Sequence, residues 1–84
     1  MKKLKLMLVD DQSLFREALR TLLSLQPDFD IVAEAENGER AVALAKTHKP
    51  DVILMDLRMP VMGGVEATRR VMAAVPAIKV VVLT

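Results

Sequence analysis

Four short apolar runs, separated by stretches with helical spacing, constrain this 84-residue chain more than any other feature. The runs are residues 4–9 (LKLMLV), 30–35 (DIVAEA), 52–55 (VILM) and 78–83 (IKVVVL). Runs this short and this apolar suit strands that are covered on both faces. After the first, residues 13–25 place Phe15, Ala18, Leu19, Leu22 and Leu23 along one helical face, and Pro27 and Asp28 close the pattern. Asn37-Gly38 reads as a turn after the second run. A second helix is expected over residues 39–48, apolar at Ala41, Val42, Leu44 and Ala45 and stopped before Pro50. A loop with Pro60 and Gly63-Gly64 follows the third run, then a helix over residues 65–74 that Pro76 ends. The order β-α-β-α-β-α-β predicts an α/β fold, a doubly wound parallel sheet with helices on both faces. No repeat, linker or low-complexity segment interrupts it.

A chain this short is one small domain. Yet 52% of its residues are hydrophobic, more than so small a core can bury, which hints at a missing partner surface or missing sequence. The net charge is +1, with 12 basic and 11 acidic residues dispersed along the chain, so there is no footprint for nucleic acid or an anionic membrane. Lys2, Lys3 and Lys5 read as solvation of the chain start. Without cysteine, neither a disulfide frame nor a thiolate metal site is available. No apolar run approaches the ~20 residues of a membrane helix. The start, MKKLKLMLVDD, lacks the apolar length and cleavage site of a signal peptide. A cytoplasmic protein with no membrane contact is the expectation.

The chemistry lies where the apolar runs end. Asp10 and Asp11 follow the first, Asp56 follows the third, and Thr84 follows the fourth. In an open parallel sheet the C-terminal edge of the strands is where ligands bind. Asp11 would turn into the crevice, with Asp10 acting directly or through water, and Asp56 would come within a few ångströms of both. Three carboxylates so close raise at least one pKa unless a cation intervenes. Mg²⁺ suits them, because it accepts one or two carboxylates and keeps waters that a phosphate can replace. Aspartate is also a competent nucleophile toward phosphorus, and the Thr84 hydroxyl could bond a phosphoryl oxygen. Each piece has a plainer reading: Asp11 or Ser13 as the cap of the first helix, Asp56 as a turn residue, Thr84 as a strand residue. Their joint placement favours the site.

Asp10-Asp11 after LKLMLV, Asp56 within VILMDLRMPVMGG, and the run KVVVLT resemble the receiver domain of two-component response regulators, in order and spacing across the whole chain. DDQSLFREALRTLL further resembles the subgroup whose receivers precede a helix-turn-helix DNA-binding domain. The resemblance implies a flavodoxin-like fold. It implies that Asp56 is the phosphoacceptor, taking a phosphoryl group from a sensor histidine kinase. Asp10 and Asp11 would be the acidic pair, with Asp11, Asp56 and the backbone carbonyl of Arg58 holding Mg²⁺. Thr84 would be the switch hydroxyl. Pro60 and Gly64 match the family's loop, whereas Gly63 stands where an acidic residue or Asn is common, a departure expected to alter loop flexibility.

Receivers of this family have five strands and five helices, so the resemblance implies a sheet that is incomplete here, the last helix-strand-helix portion being absent with its phosphoryl-pairing lysine. Residues 1–84 are then expected to be the N-terminal two-thirds of a receiver, a fragment of a longer regulator whose DNA contact lies in a missing C-terminal domain. The fourth strand would be an open apolar edge, inviting a homodimer or swapped oligomer. The leading function is a phosphorylatable switch with no turnover of its own. One alternative is a receiver-like dimerisation module that works without phosphorylation. Another is a Mg²⁺-dependent phosphohydrolase, disfavoured because Arg58 stands where a second acid is needed two residues after the nucleophile. His48, the scattered methionines, Arg40 and Arg69-Arg70 are read as surface or packing residues.

Overall fold

A computed structural model describes residues 3–57, 59 and 62–83. Its elements are β1 (Leu4–Val9), α1 (Ser13–Ser24), β2 (Phe29–Ala35), α2 (Gly38–His48), β3 (Val52–Met55), α3 (Gly64–Ala74) and β4 (Lys79–Val82). The strands form a single sheet in the order β2-β1-β3-β4, and each neighbouring pair is parallel. This is the α/β architecture expected from the alternation of runs and helices.

Alternate residues of β1 and β3 explain the layering. Met7, Val9, Ile53 and Met55 are buried in one cluster with Ala41 and Ala45 of α2, Ala67 and Val71 of α3, and Ile78. Small residues on the two helices let them sit close to the sheet. Leu6 and Leu8 are buried as well but stand outside that cluster, on the face left to α1. The first strand is therefore covered on both sides from Leu6 to Val9, as its unbroken apolar run requires.

Three details depart from the sequence reading. Asn37-Gly38 is a helix start and not a turn: Asn37 is the N-cap, and its side-chain oxygen accepts the Arg40 N–H at 2.8 Å. The second correction concerns α1. None of its residues is buried, and Phe15 and Leu22 are 43% and 63% exposed, although the spacing put both on the apolar face. Leu19 and Leu23 are half-buried, so the face seats on the sheet along a narrower stripe than five apolar positions suggested. Third, Gln12 caps α1 with no side-chain bond, so neither Asp11 nor Ser13 does so.

At the end of β3 opposite the acidic residues, Asp51 knits three strands. Its N–H donates to the Lys5 carbonyl, its carboxylate accepts the Lys5 N–H, and its carbonyl accepts the Lys79 N–H. That tie fixes the register of β1, β3 and β4, and hence what stands side by side at the far edge.

Candidate functional site

The ladder runs one residue beyond the strands at their C-terminal edge. The Asp10 N–H donates to the Ala35 carbonyl at 3.1 Å, Asp56 to Val9 at 2.9 Å, and Leu83 to Met55 at 2.8 Å. These bonds put Asp10, Asp56 and Leu83 on adjacent rungs. Asp10, Asp11 and Asp56 each present a carboxylate oxygen, and the three oxygens lie within 4.8 Å of one another. The structure thus brings together the three acids that the sequence singled out. Arg58, Pro60 and Thr84, which were also expected at this site, lie outside the described residues.

The three carboxylates differ in setting. Asp10 is buried, at 7% exposure, while Asp11 is exposed and Asp56 half-buried. The Asp10 carboxylate accepts the Gln12 N–H at 2.8 Å, at the point where the chain turns into α1. Burial holds the Asp10 carboxyl above the usual carboxylate range; the Gln12 N–H opposes this, and the charges of Asp56 and Asp11 add to it. The expected rise in one pKa is present, but removal from water outweighs like-charge repulsion as its cause.

Glycines shape the loop beyond Asp56. Gly64 opens α3 and donates its N–H to the Leu57 carbonyl at 3.0 Å. A Cβ at Gly64 would collide with the Asp56 carbonyl oxygen and stand 2.7 Å from the Leu57 Cα. Gly38 is as tight, because a Cβ there would meet the Met62 carbonyl and come within 2.9 Å of the Met62 Cβ. The start of α2 therefore presses on the loop that leads from Asp56 to α3. Met59 and Met62 pack from that loop against the core, the packing role expected of them.

One contributor escaped the sequence reading. The Arg16 guanidinium on α1 donates to the Asp10 main-chain carbonyl, and its Nε lies 3.4 Å from the Glu34 carboxylate on β2. Arg20 meets the same carboxylate at 2.6 Å. The signal was present: two arginines four apart share one helix face, on the helix that starts beside the acidic pair.

Hard oxygen donors this close, one of them buried, fit a small divalent cation that takes carboxylates and waters. The same edge of a parallel sheet is where the fold's ligands sit. A comparison with known proteins decides the family: residues 6–84 match the response regulator receiver domain. The chain belongs to that family. It is 46% identical over 82 residues to the transcriptional regulatory protein DegU of Brevibacillus brevis, covering 98% of this chain and 35% of that protein. It is 58% identical over 81 residues to a protein-glutamate methylesterase/protein-glutamine glutaminase of Cupriavidus pinatubonensis, covering 96% of this chain and 24% of that one. Among solved structures, the response regulator domain of Thermotoga maritima CheB superposes with a TM-score of 0.91 at 34% identity, over 96% of this chain and 60% of that domain. The chain thus spans a quarter to about a third of the length of these curated relatives. Among the described residues no helix is long and apolar enough to cross a membrane.

Proposed function

We propose that this receiver accepts a phosphoryl group on Asp56, with Mg²⁺ held by the acidic corner, and switches conformation to control an output. The convergence of Asp10, Asp11 and Asp56 at the C-terminal edge of the sheet supports this reading. In the transfer, a carboxylate oxygen of Asp56 attacks phosphorus of a phosphohistidine on a sensor kinase. The new O–P bond forms as the P–N bond breaks, and the departing imidazole nitrogen keeps the electron pair and takes up a proton. Asp11 and Asp56, with the Arg58 carbonyl, would hold the cation, and Asp10 would support it directly or through water. The bound cation offsets negative charge, so that an anionic donor can approach three carboxylates.

The Thr84 hydroxyl is proposed as the switch group that bonds the added phosphoryl oxygens. A doubly charged group at Asp56 then biases the loop and strand around it. This work is a change of state and not a turnover, and a cytoplasmic setting fits a kinase partner of this kind. Transcription is the proposed output, through a DNA-binding domain outside these residues, since the DegU relative is a transcriptional regulatory protein. A methylesterase output is the second reading, favoured by the 58% identity to a relative of that name. Residues 1–84 would act as the N-terminal two-thirds of a receiver in a longer regulator. Taken alone they would pair with a second copy along β4, where Val81 and Val82 are 47% and 46% exposed.

Incubation with a radiolabelled small phosphodonor tests the reading. A label that needs Mg²⁺, is blocked by a chelator and is released by hydroxylamine marks an acyl phosphate. A label that survives hydroxylamine contradicts it.

A further inference from the structure

Glu34, Arg16 and Asp10 form a run of contacts from the second strand, through the first helix, to the acidic corner. Arg16 is no ordinary surface arginine. Its side chain is only 16% exposed, and its guanidinium donates a hydrogen bond to the Asp10 carbonyl, just past β1, while its Nε lies at ion-pair distance, 3.4 Å, from the Glu34 carboxylate on β2. The helix that carries it has no buried residue, so apolar packing alone gives α1 a loose seat. The carbonyl it grips belongs to the peptide that joins Asp10 to Asp11. A peptide is planar, so holding that oxygen restrains the swing of the unit that links the two acids.

We propose that Arg16, braced by Glu34, is a positioning residue for cation binding at the Asp10-Asp11-Asp56 corner. The proposal rests on the reading of that corner as a cation site. A guanidinium suits the task because its donors form a rigid planar fork that can hold two acceptors at once. A lysine at residue 16 offers a point charge that satisfies one or the other. Arg20 is the natural contrast, since it meets Glu34 at 2.6 Å, is 47% exposed, and has no bond to Asp10. Charge and position also predict opposite signs. As a bare cation beside three acids, Arg16 would weaken Mg²⁺ binding, and its loss would tighten it. As the clamp on the Asp10 peptide, its loss loosens the ligand geometry and weakens binding, as removing the groups that orient metal ligands does elsewhere.

The experiment titrates Mg²⁺ into isotope-labelled wild type, Arg16→Gln, Arg16→Lys and Arg20→Gln. It follows the amide resonances of Asp11 and Gln12 and records a melting curve for each protein. Arg16→Gln is expected to bind Mg²⁺ about tenfold more weakly and Arg16→Lys less so, with metal-free Asp11 and Gln12 resonances displaced in both. Arg20→Gln is expected to stay within about twofold of wild type. Where Arg16→Gln melts too low to titrate, Arg16→Lys carries the comparison. Tighter binding by either Arg16 variant would overturn the proposal, as would an equal loss in Arg20→Gln. If wild type binds no Mg²⁺, the cation reading of the corner fails, and the metal-free resonances still decide Arg16: displaced supports the clamp, unmoved overturns it.

Discussion

Asp56 donates its main-chain N–H to the carbonyl of Val9 at 2.9 Å, and that bond sets the candidate phosphoacceptor one rung from Asp10. The acidic corner is thus a product of sheet register. Shifting β3 by one residue against β1 would turn every side chain of β3 to the opposite face and take Asp56 away from the pair. The register is anchored at the other end by Asp51, whose backbone and carboxylate both bond Lys5.

Gathering carboxylates there costs stability. The Asp10 carboxyl is held above the usual range, chiefly by burial, so the folded chain binds its proton more tightly than the unfolded chain does. That preference stabilises the fold below the unfolded-state value of about 3.9 and is lost as pH rises through the raised folded value. Without divalent cations, Asp10→Asn is expected to melt roughly 4–8 °C above wild type at pH 7, equivalent to about 1 kcal/mol, with the gap closing toward pH 4. The asparagine oxygen can still accept the Gln12 N–H. Added Mg²⁺ should raise the melting temperature of wild type more than that of the variant. Calorimetry at both pH values checks this, and a wild type as stable as the variant at pH 7 refutes it.

Gly64 and Gly63 make a paired test of the loop. Gly64→Ala must push back the Asp56 carbonyl and Leu57, and is expected to cost about 1–3 kcal/mol and to slow phosphoryl uptake. At Gly63, the N-cap of α3, a Cβ meets only the Leu57 carbonyl at 3.5 Å. Gly63→Ser therefore fits, and its hydroxyl can cap the helix, so it should be neutral or stabilising by a few tenths, roughly 0.3 kcal/mol. Denaturant unfolding of both variants reads the contrast. Equal costs would count against the close approach at Gly64.

Lys49 ends α2 in the left-handed region with φ 47°, donating its N–H to the Ala45 carbonyl at 2.9 Å. A side chain is disfavoured there and glycine is not. Lys49→Gly is expected to stabilise by about 0.5–1 kcal/mol, against the usual penalty for adding a glycine. A lower melting temperature than wild type would show that Lys49 contributes something its backbone geometry does not reveal.

The β4 edge gives a prediction about assembly. Val81→Lys and Val82→Lys should shift the 84-residue chain toward monomer, because charge on an edge strand blocks pairing with another copy. Light scattering over a range of concentrations measures it. A wild type that is monomeric throughout removes that role from β4.

The element order was legible because its punctuation is strong: Asp10 and Asp56 end the first and third apolar runs, and Pro27, Pro50 and Pro76 close the three helical stretches. The acidic trio was legible for the same reason, since parallel strands bring their ends to one edge. Asn37-Gly38 misled because the same dipeptide serves a turn or a helix start. What decides is whether the Asn oxygen finds an N–H three residues on, and Arg40 supplies it. The face of α1 was over-assigned, because spacing names the side that turns toward the sheet without saying how deeply each residue sinks. Arg16 was missed because its partner Glu34 lies on another strand, a proximity that only the fold creates.

The most direct measurement is the intact mass of wild type and of Asp56→Asn before and after incubation with a small phosphodonor and Mg²⁺. Wild type is expected to gain one phosphoryl group and the variant none. A gain of equal size in Asp56→Asn, or no gain in a wild type shown to bind Mg²⁺, would contradict this.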